Sequence, residues 1–272
     1  MAQFFPAMLS ILCLYATRAA ADGGEFRMES DEEIGIHKSI LEAAQRGDVT
    51  AQSLLGQDYF YGVHGVAKDT HLGLHWATKA ADADDRDSQE LLATAFGRGH
   101  PDVPADAGRA VEYGTKAAEQ GSVKSAELLG KLFYNGTGLE FLSQEERMQK
   151  SFKWFQRAAK DGSLGAMNDL GDMYRLGQGT KKDYSEAIRW YQKVVADMSH
   201  VLAADPTLPS AGWNRTAVAR AFNSLGAMYA SGWGTEKSKH RAVEYLEQAA
   251  ALGHPHAARN LKSLGAAKEE EL

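Results

Sequence analysis

One pattern recurs five times along this chain and restricts its fold more than any other feature. A small residue is followed four residues later by Leu-Gly or a variant, then by an aromatic and a Gly at steps of three. The copies are Ala51, Leu55, Gly56, Tyr59, Gly62; Ser88, Leu92, Ala93, Phe96, Gly99; Ser125, Leu129, Gly130, Phe133, Gly136; Ala166, Leu170, Gly171, Tyr174, Gly177; and Ala221, Leu225, Gly226, Tyr229, Gly232. A second motif follows each copy, an aromatic with a small or branched pair four and five residues later: Trp76, Tyr113, Trp154, Trp190 and Tyr245. Read at the Leu-Gly glycine position, successive units lie 37, 37, 41 and 55 residues apart. A period of this size marks a stacked solenoid rather than a globular enzyme core. A sixth, partial copy begins at Ala257 and Leu261.

At 100° per residue, Ala51, Leu54, Leu55, Tyr59 and Gly62 share one helical stripe, and Trp76 and Ala80 share another. Gly-rich breaks at Gly62, Gly136, Gly177 and Gly232 separate the two halves, as left-handed helix ends require. Each unit therefore reads as an antiparallel helix pair. Small residues let the backbones approach, and the aromatics fill the gaps. Asp69, Asp106 and Asp183 each precede a small second-helix residue by four, which suits a capping role. Asp58 departs from the pattern, because its column holds Ala95, Leu132, Met173 and Met228 elsewhere. It reads either as an irregularity of an end repeat or as a charged contact with a partner or the N-terminal segment.

These residues resemble the Sel-1-like repeat, a relative of the tetratricopeptide repeat, over roughly residues 40 to 265. The copy running from Leu170 through Tyr174, Gly177 and Gly179 to Asp183, Ala187 and Trp190 matches best. Departures are local: Ala93 replaces the usual Gly, and repeat three has four extra loop residues. The resemblance implies an all-α fold, an α/α superhelical solenoid of about five helix pairs plus a C-terminal capping helix. It also implies that the first helices line a concave face.

Residues 1–21 read as a secretory signal peptide, with an apolar stretch from Phe4 to Ala16 and Ala19-Ala20-Ala21 before Asp22. Residues 22–35 read as a flexible segment, 36–265 as the solenoid with an insertion at about 196–217, and 266–272 as an acidic tail. The single cysteine, Cys13, falls inside the first segment, which leaves the mature chain without thiol chemistry. Two Asn-x-Thr sequons, at Asn135 and Asn214, fall in expected loops and suit a glycosylated luminal protein. The ending Glu-Glu-Leu272 is a degenerate form of a luminal retention signal; an ordinary acidic tail is the alternative.

Removing Arg18 with residues 1–21 leaves 29 basic residues against 36 acidic, which argues against a nucleic-acid or anionic-membrane binder. His71 and His75 stand one helical turn apart but lack further ligands at zinc spacing, so no metal and no cofactor is expected. The Gly-rich loops lack the Gly-Lys-Ser/Thr ending of a phosphate cradle, and no nucleophile elbow is present. The chain is therefore read as non-enzymatic. Candidate partner contacts come from first-helix columns whose chemistry changes from copy to copy: Tyr61, Lys131, Tyr134, Asp172 and Arg175, with Asp58 and the insertion's Trp213. Mere exposure explains the same variation, and Trp213 can equally pack on the scaffold. By resemblance, luminal Sel-1-like proteins serve ubiquitin-ligase complexes in the degradation of misfolded proteins. The expected function is an adaptor of the secretory pathway that takes a protein or peptide partner. The alternative is a bacterial periplasmic or secreted protein that regulates a sensor or contacts a host.

Overall fold

A computed structural model of the chain describes residues 31–204 and 211–266. Among the described residues there are twelve helices and no strand. They fall into two compact units, divided between Ala105 and Asp106. The first unit holds α1 (Asp31–Gln45), α2 (Val49–Tyr61), α3 (Thr70–Asp82) and α4 (Arg86–Arg98). The second holds α5 (Ala107–Glu119), α6 (Val123–Asn135), α7 (Gln144–Lys160), α8 (Leu164–Leu176), α9 (Tyr184–Ala204), α10 (Ala211–Ser231), α11 (Lys239–Ala251) and α12 (Ala257–Ala266). The division falls inside the second repeat. No described helix is long and apolar enough to cross a membrane.

The helix ends follow from short polar residues placed one step ahead of each helix. Asp48, Asp69, Asp85 and Asp106 accept the N–H of the third following residue, as do Ser122, Ser163 and Ser238. Asp183 accepts from Ser185 N at 2.9 Å and Glu186 N at 3.0 Å. Each such cap stabilises its helix by about 1 kcal/mol. Asp69, Asp106 and Asp183 thus act as the capping residues their spacing suggested.

In the first unit, Ile40, Ala44, Ala51, Leu55 and Trp76 form one buried cluster. The Leu-Gly glycine explains the tight α2–α3 pairing. A Cβ added at Gly56 would lie 2.9 Å from the backbone nitrogen of Ala77.

Trp76 and Tyr113 are buried as the sequence suggested, but in α7, α9 and α11 the repeating aromatics do not fill the gap in that way. Trp154 and Trp190 are only partly buried, and so is Tyr245. The residue beside each of them takes the deep position. Phe155, Tyr191 and Leu246 are buried and lie against the positions where a Cβ on Gly130, Gly171 or Gly226 would stand. Four of the five repeating aromatics, buried or not, carry a cation three residues on. Arg157 lies over Trp154 and Lys193 over Trp190, as do Lys116 over Tyr113 and, in the first unit, Lys79 over Trp76. The long basic stems cover ring surface that the partner helix leaves open.

In the second unit the loops inside three helix pairs rest on an earlier second helix. A Cβ at Gly138 would meet Ala107, at Gly179 the carbonyl of Met148, and at Gly234 the backbone of Tyr184. Gly179 (φ +66°) and Gly234 (φ +71°) sit where a side chain would both strain the backbone and collide.

The insertion before Ala221 was expected to extend the preceding helix to about Ala204 and then to form a loop; the extension is present, and the stretch from Ala211 is helical as well. α9 and α10 each run 21 residues, against 13 for α6 and α8. α9 ends at Ala204, just before Pro206 and Pro209, which cannot continue it.

Candidate functional site

The second unit gathers a row of charges across α6, α8 and α10. At its centre stands Arg220, whose guanidinium reaches Asp169 at 2.8 Å and also grips Asp172. Asp172 accepts further hydrogen bonds from the Tyr191 hydroxyl at 2.8 Å and from Arg175 at 3.1 Å. On the other side of Asp169, Lys131 pairs with Glu127, whose second oxygen accepts from the Ser163 hydroxyl at 2.5 Å. Six charged side chains on three successive first helices thus share one face. Asn168 reinforces the seam below it, with its amide donating to Ala217 O at 2.9 Å and to Leu164 O.

The two central carboxyls differ. Burial raises Asp169 above its ordinary range, and Arg220 offsets this only in part. Burial also pushes Asp172 upward, but Arg220, Tyr191 and Arg175 together outweigh it and hold it below its ordinary range. Burial and the neighbouring Asp172 push the Tyr191 phenol well above its usual range, so it remains a proton donor to Asp172.

Of the residues singled out by sequence, Lys131, Tyr134, Asp172 and Arg175 come together on this face. Tyr134 is 38% exposed and donates to the Gln178 side chain at 3.1 Å, and Leu176, two residues before Gln178 in sequence, is 43% exposed. Tyr61 lies in the first unit, exposed, with its ring edge-on to Phe60. Trp213 and Asn214 belong to the first turn of α10, not to a loop, and their side chains lie outside the described residues. Asn135 is the exposed last residue of α6 rather than a loop residue, followed by left-handed Gly136.

Asp58 is corrected from a partner contact. It is 2% exposed, and its carboxylate meets His64 Nδ1 at 2.7 Å. An acid on a packing stripe is tolerable because the following loop folds an imidazole back onto it, with His64 held at φ +53°. The hydrogen bond to Asp58 raises the His64 pKa, and burial opposes it. A raised base stabilises the fold below its unfolded value of about 6.5 and loses that contribution as pH rises through the folded value. His254 shifts the opposite way, through burial and then the charge of His256. The His64 contribution is therefore read against a variant. Urea unfolding of the wild type should lose about 0.5–1 kcal/mol between pH 6 and 8 that His64→Asn, which tolerates the left-handed backbone, does not lose.

Arg220 and Asp169 were missed by sequence. Asp169 stands two residues before Gly171, where the earlier copies place Leu54, Leu91 and Leu128. An acid in a leucine column was a readable signal, of the same kind as Asp58.

A family model of the Sel1 repeat matches residues 49–85, 86–122, 123–163, 165–193 and 220–254. The chain belongs to the Sel1 repeat family. The five matches fall on the five helix pairs, and the unmatched stretch 194–219 of this Sel1 repeat protein contains the insertion. Among solved structures, a Sel1 repeat protein from Oxalobacter formigenes is similar over 86% of this chain and 87% of its own, at 24% identity and a TM-score of 0.60. A protective antigen of uropathogenic Escherichia coli with the same repeat fold is similar over 83% of this chain, at 24% identity and a TM-score of 0.54. That match spans half of the antigen's length. Both likenesses concern the fold. No curated protein sequence matches.

Proposed function

We propose that this Sel1 repeat protein is a non-enzymatic protein–protein interaction scaffold of the secretory pathway, and that it seats a partner segment on the α6–α8–α10 face. The observation that carries this reading is the charged row centred on Arg220, bordered by exposed Tyr134 and Leu176. Stacked helix pairs need small and apolar residues where they touch, and a rigid row of ion pairs beside exposed apolar side chains is more than packing requires. Such rows fix register and orientation for a partner, while the apolar neighbours supply affinity.

Residues 1–21, the sequons and the Glu-Glu-Leu272 ending support a role in the endoplasmic reticulum lumen, in protein quality control. Asn135 is open to an acceptor role, since it is exposed at a helix end. A bacterial periplasmic or secreted protein would use the same leader and leave both sequons bare.

One experiment covers both levels. The full chain is expressed in eukaryotic cells with a photo-crosslinking residue at Lys131, Leu176 or, as control, Lys153 on α7. The expected result is an endoglycosidase-sensitive band that Asn135→Gln shifts, with crosslinked partner at Lys131 and Leu176 and none at Lys153. Crosslinks at Lys153 alone would move the partner off this face, and an unglycosylated, non-luminal chain would end the luminal reading.

A further inference from the structure

The loop of repeat five carries a side chain that its packing does not require. Between Gly232 and Gly234, where the corresponding loops of this unit place Thr137 and Gln178, stands Trp233. It is 42% exposed yet firmly held. Its backbone N–H donates to Met228 O at 3.1 Å, and its ring stacks on Tyr184 with centroids 5.5 Å apart and planes 14° apart. An exposed aromatic that is already ordered loses little further freedom when a partner covers it.

The surroundings are basic, in a chain whose net charge is −6. Lys182 Nζ lies 5.6 Å from the Tyr184 ring centroid, and the Lys237 stem packs against Gly232 beside Trp233. Lys181 and Lys239 flank these two and are exposed. The acids nearby are largely engaged within the chain. Asp183 caps α9 through Ser185 N and Glu186 N, and Glu186 accepts from Arg189 at 2.5 Å. Glu236 is the opposing charge in the loop itself.

We propose that this loop edge, residues 177–184 and 232–239, is a docking surface for an acidic protein segment carrying an aromatic or large apolar residue. Four exposed lysines on the two segments that bring Tyr184 and the ordered Trp233 together match that chemistry by charge and by anchor. The chain's acidic remainder repels such a segment elsewhere and so confines it to this edge. The lysines and Trp233 lie outside the Arg220 row, so this surface and the α6–α8–α10 face can fail independently.

The test is selection of random twelve-residue phage-displayed peptides on the purified chain at about 0.15 M salt, followed by anisotropy titration of the enriched sequences as labelled peptides. Enriched sequences should be acidic with one aromatic or large apolar residue. Their affinity should fall by about tenfold or more in Trp233→Ala and in the triple variant Lys181→Glu, Lys182→Glu, Lys237→Glu. It should stay unchanged in Lys153→Glu, an exposed change on α7 outside both surfaces, and all variants should keep the wild-type helical content and melting temperature. Enrichment of neutral or basic peptides overturns the proposal, and so do acidic peptides that bind the triple variant as well as the wild type. Recruitment to phosphatidylserine vesicles without any peptide enrichment would assign the edge to a lipid surface instead. Peptide binding that emerges only after deletion of residues 267–272 would assign it to the chain's own acidic tail.

Discussion

Arg220→Ala should destabilise the second unit by about 1–3 kcal/mol. The reason lies less in what Arg220 contributes than in what its removal strands. Asp169 and Asp172 have side chains only 16% and 26% exposed, and both rely on this guanidinium. Breaking a fully buried ion pair by removing one partner costs about 3–5 kcal/mol. Arg220 itself is 40% exposed, so water reaches the site and the expected loss is smaller. Replacing all three, with Arg220→Met, Asp169→Asn and Asp172→Asn, should recover most of the loss, because no charge is then stranded. The pH dependence gives a second signature. In the wild type, Asp172 is held low, so its contribution is present above the ordinary carboxylate value and fades as pH falls through the folded value. In Arg220→Ala both carboxyls lose their main cation, and burial then favours their protonated forms. The gap between variant and wild type should therefore narrow from pH 7 toward pH 4. Urea unfolding at both pH values, with hydrogen exchange across α8–α10, measures it.

Gly171→Ala should cost about 2–3 kcal/mol by overpacking. Its Cβ would stand 2.4 Å from the Tyr191 ring, which is buried on all sides. The ring cannot retreat without giving up its 2.8 Å hydrogen bond to Asp172. The substitution thus strains the core and loosens the charged row together. Gly165→Ala on the same helix is the control. There the new Cβ meets only the far end of the Glu127 side chain, which can shift at the expense of its bonds to Lys131 and Ser163, and the helix gains up to about 1 kcal/mol from alanine. Thermal melts should separate the two clearly. Tyr191→Leu should relieve part of the Gly171→Ala penalty, since the clash is with the ring, and the pair should deviate from additivity.

The architecture was legible because packing between helix pairs demands the same small residue at the same place in each copy. Gly56, Gly130, Gly171 and Gly226 could be found by their sameness. What fills the space they leave could not, because Ala77, Phe155, Tyr191 and Leu246 share no chemistry. The aromatic that does repeat was accordingly assigned the deep position, which Trp76 and Tyr113 take, whereas Trp154 and Trp190 lie half-open under an arginine or lysine. The site was half legible for the same reason. Asp172 and Arg175 stood out in columns that vary. Arg220 falls six residues before Gly226, beside the insertion that breaks the rhythm, where column reading has least to compare. Asp58 was correctly seen as exceptional, but its partner His64 comes from a loop, whose path no helical periodicity predicts.

The loop seats run one way along the second unit. Gly138 rests on α5, Gly179 on α7 and Gly234 on α9, so each repeat leans on the one before it. Losing a repeat from the C-terminal side bares a finished helix face and leaves every remaining loop supported. Losing one from the other side leaves a left-handed glycine loop hanging over empty space. In a nearest-neighbour array, where each interface contributes separately, that asymmetry makes the C-terminal end the cheaper one to open. Under load the unit should peel backward toward its start, one helix pair at a time, with the ion-paired α8–α10 seam as the first firm stop.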